Sequence, residues 1–211
     1  TLLEINCETD FVAKADKFIA LADKVLGHAA EQQIDSAEAL LSSELDGQTV
    51  QALLDSSNAE IGEKIEVRNL ARLTAPEGGQ VVAYLHKTSP DLPAQIGVLV
   101  ATTGTDEQIG RDVAMHAAAF APTALTRDEI DPTVVENERR IAEETAKEEG
   151  KPEQALPKII EGRVNAFFKD NVLLDQPFAK DPKKSVAKVA EEAGAEVTGF
   201  VRFKVGSDLQ A

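Results

Sequence analysis

Stretches with apolar residues three and four apart take turns with stretches rich in β-formers, and their order predicts most of the architecture. Leu2, Leu3 and Ile5 open the chain as a strand over residues 1–7. After the polar knot Glu8-Thr9-Asp10, residues Phe11, Ala15, Phe18, Ala22, Val25 and Ala29 recur at helical spacing, which puts them on one face of a single long helix. Shorter helices are expected in residues 36–63, starting at Ser36 and at Gly47-Gln48-Thr49, with Leu40, Leu41, Val50, Leu53 and Leu54 as apolar faces. Residues 65–73 and 81–86 are rich in β-formers and flank Pro76-Glu77-Gly78-Gly79, so they are expected to pair as a hairpin.

Ser89-Pro90-Asp91-Leu92-Pro93 is a loop and a candidate boundary, after which the opening arrangement recurs. Residues 96–101 read as a strand, Thr105-Asp106 as a helix start and residues 109–119 as a helix. Both halves end alike, with a helix exit, a glycine (Gly62, Gly194) and a strand. The expected fold is therefore α+β, with two similar subdomains of small antiparallel sheets packed on helices: 1–88, and 89–131 continued by 172–211. The second is interrupted. Asp131-Pro132 is a cap with proline in the first turn, and Gly150-Lys151-Pro152 is a stop. Val134, Val135, Ile141, Ala142 and Ala146 make a thin stripe before that stop, and Leu156, Ile160, Val164 and Phe167 a second one after it. Narrow seams on charged segments predict an inserted coiled-coil hairpin over 132–171, projecting from the body. Residues 172–178 return the chain, Ser185 caps a short helix to Ala193, and 196–205 is the last strand.

Composition narrows the function classes. The 211 residues carry 22 Lys plus Arg against 37 Asp plus Glu, a formal charge of −15, so there is no diffuse basic footprint for nucleic acid or anionic membrane. No apolar run approaches the roughly 18 residues of a membrane span. One cysteine, Cys7, excludes an internal disulfide and cysteine-rich zinc sites, which makes a reducing cytoplasm the default compartment. The chain begins without Met, directly in strand-like sequence, and a segment is expected to be missing ahead of Thr1.

Candidate chemistry is sparse. The spacing of Gly104 and Gly110 approaches a P-loop, but Arg111-Asp112 follows in place of Lys-Ser/Thr, so no direct nucleotide binding is expected. His28, His86 and His116 lie on separate elements without metal-ligand spacing, and no metal or other cofactor is called for. His28 and His116, each beside two alanines, read as helix-packing residues. Cys7 has Glu4, Glu8 and Asp10 nearby, the wrong electrostatics for a nucleophile, and reads as a small core residue; no catalytic residue is assigned. One site stands out. In Thr9-Asp10-Phe11-Val12 an aromatic follows an acidic cluster at a strand-to-helix junction. Two readings stay open: Asp10 caps the helix and Phe11 starts its buried stripe, or Phe11 is an exposed anchor for a partner.

Residues Glu4-Ile5-Asn6-Cys7-Glu8-Thr9-Asp10-Phe11-Val12-Ala13-Lys14 resemble the signature of bacterial translation elongation factor Ts. Further stretches resemble that family in order: 61–68, Ala114-Met115-His116-Ala117-Ala118, Ile160-Glu161-Gly162-Arg163, Gln176-Pro177-Phe178 and 195–203. The resemblance implies a guanine nucleotide exchange factor for elongation factor Tu, not an enzyme. Thr9, Asp10, Phe11 and Val12 would be the loop that enters the G domain of that partner and dislocates its magnesium; Met115 and His116 would serve a second contact. It also implies a small helical ubiquitin-associated-like domain that this chain lacks, with reduced affinity expected. Pro157 departs from the family and is expected to bend or break its helix near the start. A homodimer or two-to-two complex is left open. The alternative is a scaffold that binds a GTPase without exchanging its nucleotide.

Overall fold

The computed structural model describes residues 1–207, so residues 208–211 of the expected second subdomain lie outside the described part. From the N-terminus run β1 (Leu2–Asn6), α1 (Asp10–Ala13), α2 (Asp16–Glu31), α3 (Ala37–Ser42), β2 (Glu44–Leu45), β3 (Gln48–Thr49), α4 (Val50–Ile61) and β4 (Glu66–Ala71). Then follow β5 (Gln80–His86), β6 (Ile96–Thr102), α5 (Glu107–Phe120), α6 (Pro132–Glu148), α7 (Leu156–Asn171), β7 (Pro177–Phe178), β8 (Asp181–Ser185), α8 (Val186–Glu192) and β9 (Val197–Lys204). Helices alongside small antiparallel sheets make the fold α+β.

Two separate cores result. Phe18, Leu21, Val25 and Ala29 of α2 meet Leu40, Val50, Leu54, Ile65, Val67 and Leu70 in the first. In the second, Val98 and Val100 of β6 pack under Ile109, Val113, Ala114 and Ala117 of α5, with Leu173, Phe178, Val186 and Val197 closing the far side. The two share a scheme. β1 pairs antiparallel with β4 and β6 with β9, and a register shift falls in each pair. A helix follows the first strand of each pair, and a left-handed glycine (Gly62 at φ +81°, Gly194 at φ +72°) precedes the last.

Three expectations are corrected. The hairpin over 65–73 and 81–86 does not form: β4 pairs with β1, while β5 joins the sheet β5-β6-β9. The turn is present, with Gly79 N–H donating to the Pro76 carbonyl at 2.9 Å, but a turn reverses the chain without choosing the strand's partner. The single long helix is two helices, because Ala15 is extended (φ −75°, ψ 138°) and starts α2 on its own axis. Phe11 and Ala15 thereby leave the buried stripe, which is carried by Phe18, Leu21, Val25 and Ala29. Pro157 neither bends nor breaks α7, since it sits in the first turn, where its missing N–H has no helical acceptor to lose.

Helices α6 and α7 lie side by side, burying Ala142 and Ala146 against a seam with Leu156 and Val164, and Arg163 reaches across to the Glu149 carboxylate at 2.9 Å. No helix among the described residues is long and apolar enough to cross a membrane.

Candidate functional site

The segment between β1 and α2 is short of apolar anchorage and rich in polar ties. Thr9, not Asp10, caps α1: its backbone is extended and its Oγ1 accepts from Val12 N–H at 3.4 Å. Asp10 occupies the first turn, where a carboxylate favours the positive end of the helix. Ala13 N–H donates to the Thr9 carbonyl and Lys14 N–H to that of Asp10, so the segment is one closed helical turn. Of the four motif residues only Val12 packs against the first core. Phe11 points the other way and is 79% exposed, with the Lys14 ammonium 5.2 Å from its ring centre. Of the two sequence readings the structure selects exposure: helical periodicity put Phe11 on the buried stripe, and the extended Ala15 takes it off.

Two glutamates tie this turn to the α4–β4 junction. The backbone N–H groups of Glu8 and Thr9 both donate to Glu63 Oε2 at 3.1 Å, and Thr9 Oγ1–H donates to Glu63 Oε1 at 2.5 Å. In return, Lys64 N–H donates to Glu8 Oε1 at 3.0 Å. Sequence reasoning gave Glu63 no role. Its only signal was membership of the matched stretch 61–68, and nothing local points 54 positions back along the chain. The Cys7 thiol is pushed up, first by burial and then by the carboxylates of Glu63 and Asp10, and it donates to the Thr9 carbonyl at 3.4 Å. That is the chemistry of an inert thiol lining the turn, not of a nucleophile.

Met115 and His116, neighbours on α5, part company. Met115 is at the surface, 37% exposed. His116 is buried. Its Nδ1 accepts from Ala179 N–H at 3.1 Å, which leaves Nε2–H to donate to Gln176 Oε1 at 2.8 Å. Burial pushes its pKa down, so the ring is neutral and fastens residues 176–179 to α5, with Phe120 stacked on it at 4.7 Å. His28 is likewise a packing residue, hydrogen-bonded to Ser43 Oγ at 2.8 Å. The described residues contain no group of three or more His, Cys, Asp or Glu side chains placed to hold a metal ion.

The model of the family described as Elongation factor TS matches residues 8–207. Curated proteins named Elongation factor Ts are similar along nearly the whole chain. That of Kineococcus radiotolerans is 57% identical over 206 residues, which span 98% of this chain and 74% of that protein. Those of Arthrobacter sp. (strain FB24) and Micrococcus luteus are 58% and 56% identical over 209 residues, with the same coverage.

Proposed function

Because the chain belongs to the elongation factor Ts family, we propose that it serves translation elongation in the cytoplasm as the guanine nucleotide exchange factor of elongation factor Tu. The reading rests above all on Phe11, an aromatic ring 79% exposed on a capped and tethered turn rather than folded into the core. An exchange factor needs no bond chemistry. It must bind the empty form of its partner better than the GDP-bound form, and linkage then requires GDP to be held more weakly whenever the factor is bound. In this reading Thr9 and Val12 shape and seat the turn, Asp10 and Phe11 enter the G domain, and Phe11 wedges between side chains there and displaces the surroundings of the partner's magnesium. That ion neutralises phosphate charge, so disturbing it loosens the nucleotide. An aromatic anchor filling a pocket supplies on the order of 2 kcal/mol or more of binding.

We read residues 1–88 and 89–131 with 172–207 as two contacting subdomains, and 132–171 as a short inserted coiled coil. The second contact would be made by Met115 at the surface; His116 would support it from beneath by fixing the 176–179 segment. The decisive experiment is stopped-flow release of a fluorescent GDP from elongation factor Tu. Phe11→Ala should keep the parent's melting temperature, since an exposed side chain away from any packed feature contributes within about 0.5 kcal/mol. It should lose about thirtyfold or more of the acceleration, the fold-change that a lost anchor of about 2 kcal/mol produces. Equal acceleration by variant and parent removes Phe11 from the mechanism. A parent that binds without accelerating release is the non-exchanging scaffold instead.

A further inference from the structure

We propose that Glu63 is a positioning residue for nucleotide release: with Glu8 it forms a reciprocal carboxylate clasp that fixes how Phe11 is presented. The inference rests on the reading of Phe11 above and adds a residue to it. The turn cannot hold itself. Helix α1 has four residues and buries none of them, and a single turn in isolation lies well below the length at which helices persist in water. Val12 gives it one apolar foothold. Beyond that foothold and the Cys7 thiol's bond to the Thr9 carbonyl, the clasp supplies its ties to the rest of the first core. Glu63 receives three donors from Glu8 and Thr9, and Glu8 receives the N–H of Lys64.

The receiving end is itself rigid. Gly62 terminates α4 at φ +81°, and two residues beyond Glu63 the buried Ile65 donates its N–H to Asn58 Oδ1 at 2.7 Å. The second half of the molecule supplies an internal control. At the corresponding junction Thr103 N–H donates to the Glu196 carbonyl at 2.9 Å and Glu196 N–H to Thr103 Oγ1 at 2.8 Å. There a threonine and one carbonyl suffice, because the next helix, α5, starts directly at the Asp106 cap and buries Ile109 within its first turn. Only the first half inserts a separate exposed turn between strand and core helix, and only there do two carboxylates bridge the gap. A turn ordered before encounter loses less conformational freedom on docking, and the anchor's binding energy then goes into discriminating the empty partner from the loaded one.

The test uses the intact chain with Glu63→Ala, Glu63→Gln, Phe11→Ala and the double variant Glu63→Ala/Phe11→Ala. Amide hydrogen exchange in the free protein should rise at Glu8, Thr9 and Val12 in Glu63→Ala, with the melting temperature and exchange in the two cores unchanged. The concentration needed for half-maximal GDP release should rise about tenfold. Glu63→Gln, which keeps one acceptor oxygen, should restore part of the loss. In the Phe11→Ala background Glu63→Ala should cost nothing further, because the two act as one unit. Full activity of Glu63→Ala beside a defective Phe11→Ala overturns the clasp and leaves the exchange reading standing. Losses that simply add overturn it too, since Glu63 then acts apart from Phe11. A fully active Phe11→Ala removes both.

Discussion

His116 and Phe11 are both ring residues in motif stretches, and what separates them is whether the surrounding backbone supplies partners. Around His116 it does. With Ala179 N–H aimed at Nδ1 and Gln176 Oε1 accepting from Nε2–H, only the neutral ring satisfies both bonds, and burial disfavours the charged form as well. The folded pKa therefore lies below the unfolded value. Its contribution to stability is complete above the unfolded pKa near 6.5 and is lost as pH falls through the lower folded pKa. Calorimetry should show the melting temperature falling between about pH 7 and 5, before the bulk of the carboxylates titrate. His116→Asn should be less stable at neutral pH, with a flatter profile over that interval. An unchanged slope in the variant would place the titration elsewhere. Phe11 has the Lys14 side-chain ammonium beside its ring and otherwise faces outward.

Glycines at element ends and middles give opposite predictions. Gly62 closes α4 in the left-handed region at φ +81°, where a Cβ is strained although nothing crowds it, so Gly62→Ala should destabilise by about 1 kcal/mol in urea unfolding. Gly162 lies within α7 with open space where an alanine methyl would sit and no unusual φ, and Gly162→Ala should stabilise by about 0.5–1 kcal/mol. If both substitutions destabilise, α7 makes contacts at Gly162 beyond those of this fold. Such end signals are local, which is why they are legible in the chain. Ser36, Thr49, Asp106, Asp131 and Ser185 all cap the helices they are expected to start, each accepting from a backbone N–H two or three positions on. What the pattern does not supply is pairing at a distance. Strand β4 has the residues of a hairpin arm, but its partner β1 lies some sixty positions or more upstream, and nothing in either strand's alternation names the other. The candidate turn shows the same division. Its cap residue is adjacent to the turn it caps, whereas the Glu63 carboxylate arrives from the far end of the first core. Ala15, an ordinary helix former, gives no hint in its identity that it breaks the helix axis and so exposes Phe11.

The two cores meet along β1, which touches both β6 and β9. Leu2 leans over Gly97 of β6, where an added Cβ would come within 2.8 Å of Leu2 Cδ1 and make that side chain shift. Two residues on, the buried Glu4 carboxylate accepts from Asn69 Nδ2 of β4 at 2.5 Å, from Asn6 Nδ2 at 3.1 Å, and from Gly206 N–H just beyond β9 at 3.1 Å. One side chain thus joins the sheet of the first core to the last strand of the second, and all its partners are donors. Glu4→Gln preserves size and shape but turns an amide NH2 toward one of those donors, leaving a buried pair of N–H groups without an acceptor at a cost of about 1–3 kcal/mol. For a chain of this length that corresponds to a fall in melting temperature of roughly 2–12 °C. If the junction couples the cores, the parent melts in one calorimetric transition, and Glu4→Gln moves the whole transition down or splits it as the first core is released from the second. Two transitions in the parent, one of them untouched by the substitution, would show that the cores unfold independently and that β1 belongs energetically to the first alone. The coupling also bears on exchange. If Phe11 on the first core and Met115 on the second both touch the partner, as proposed above, a junction that holds the cores together would set the spacing of the two contacts, and a factor bound at both would gain effective concentration at each only while that spacing matches its partner.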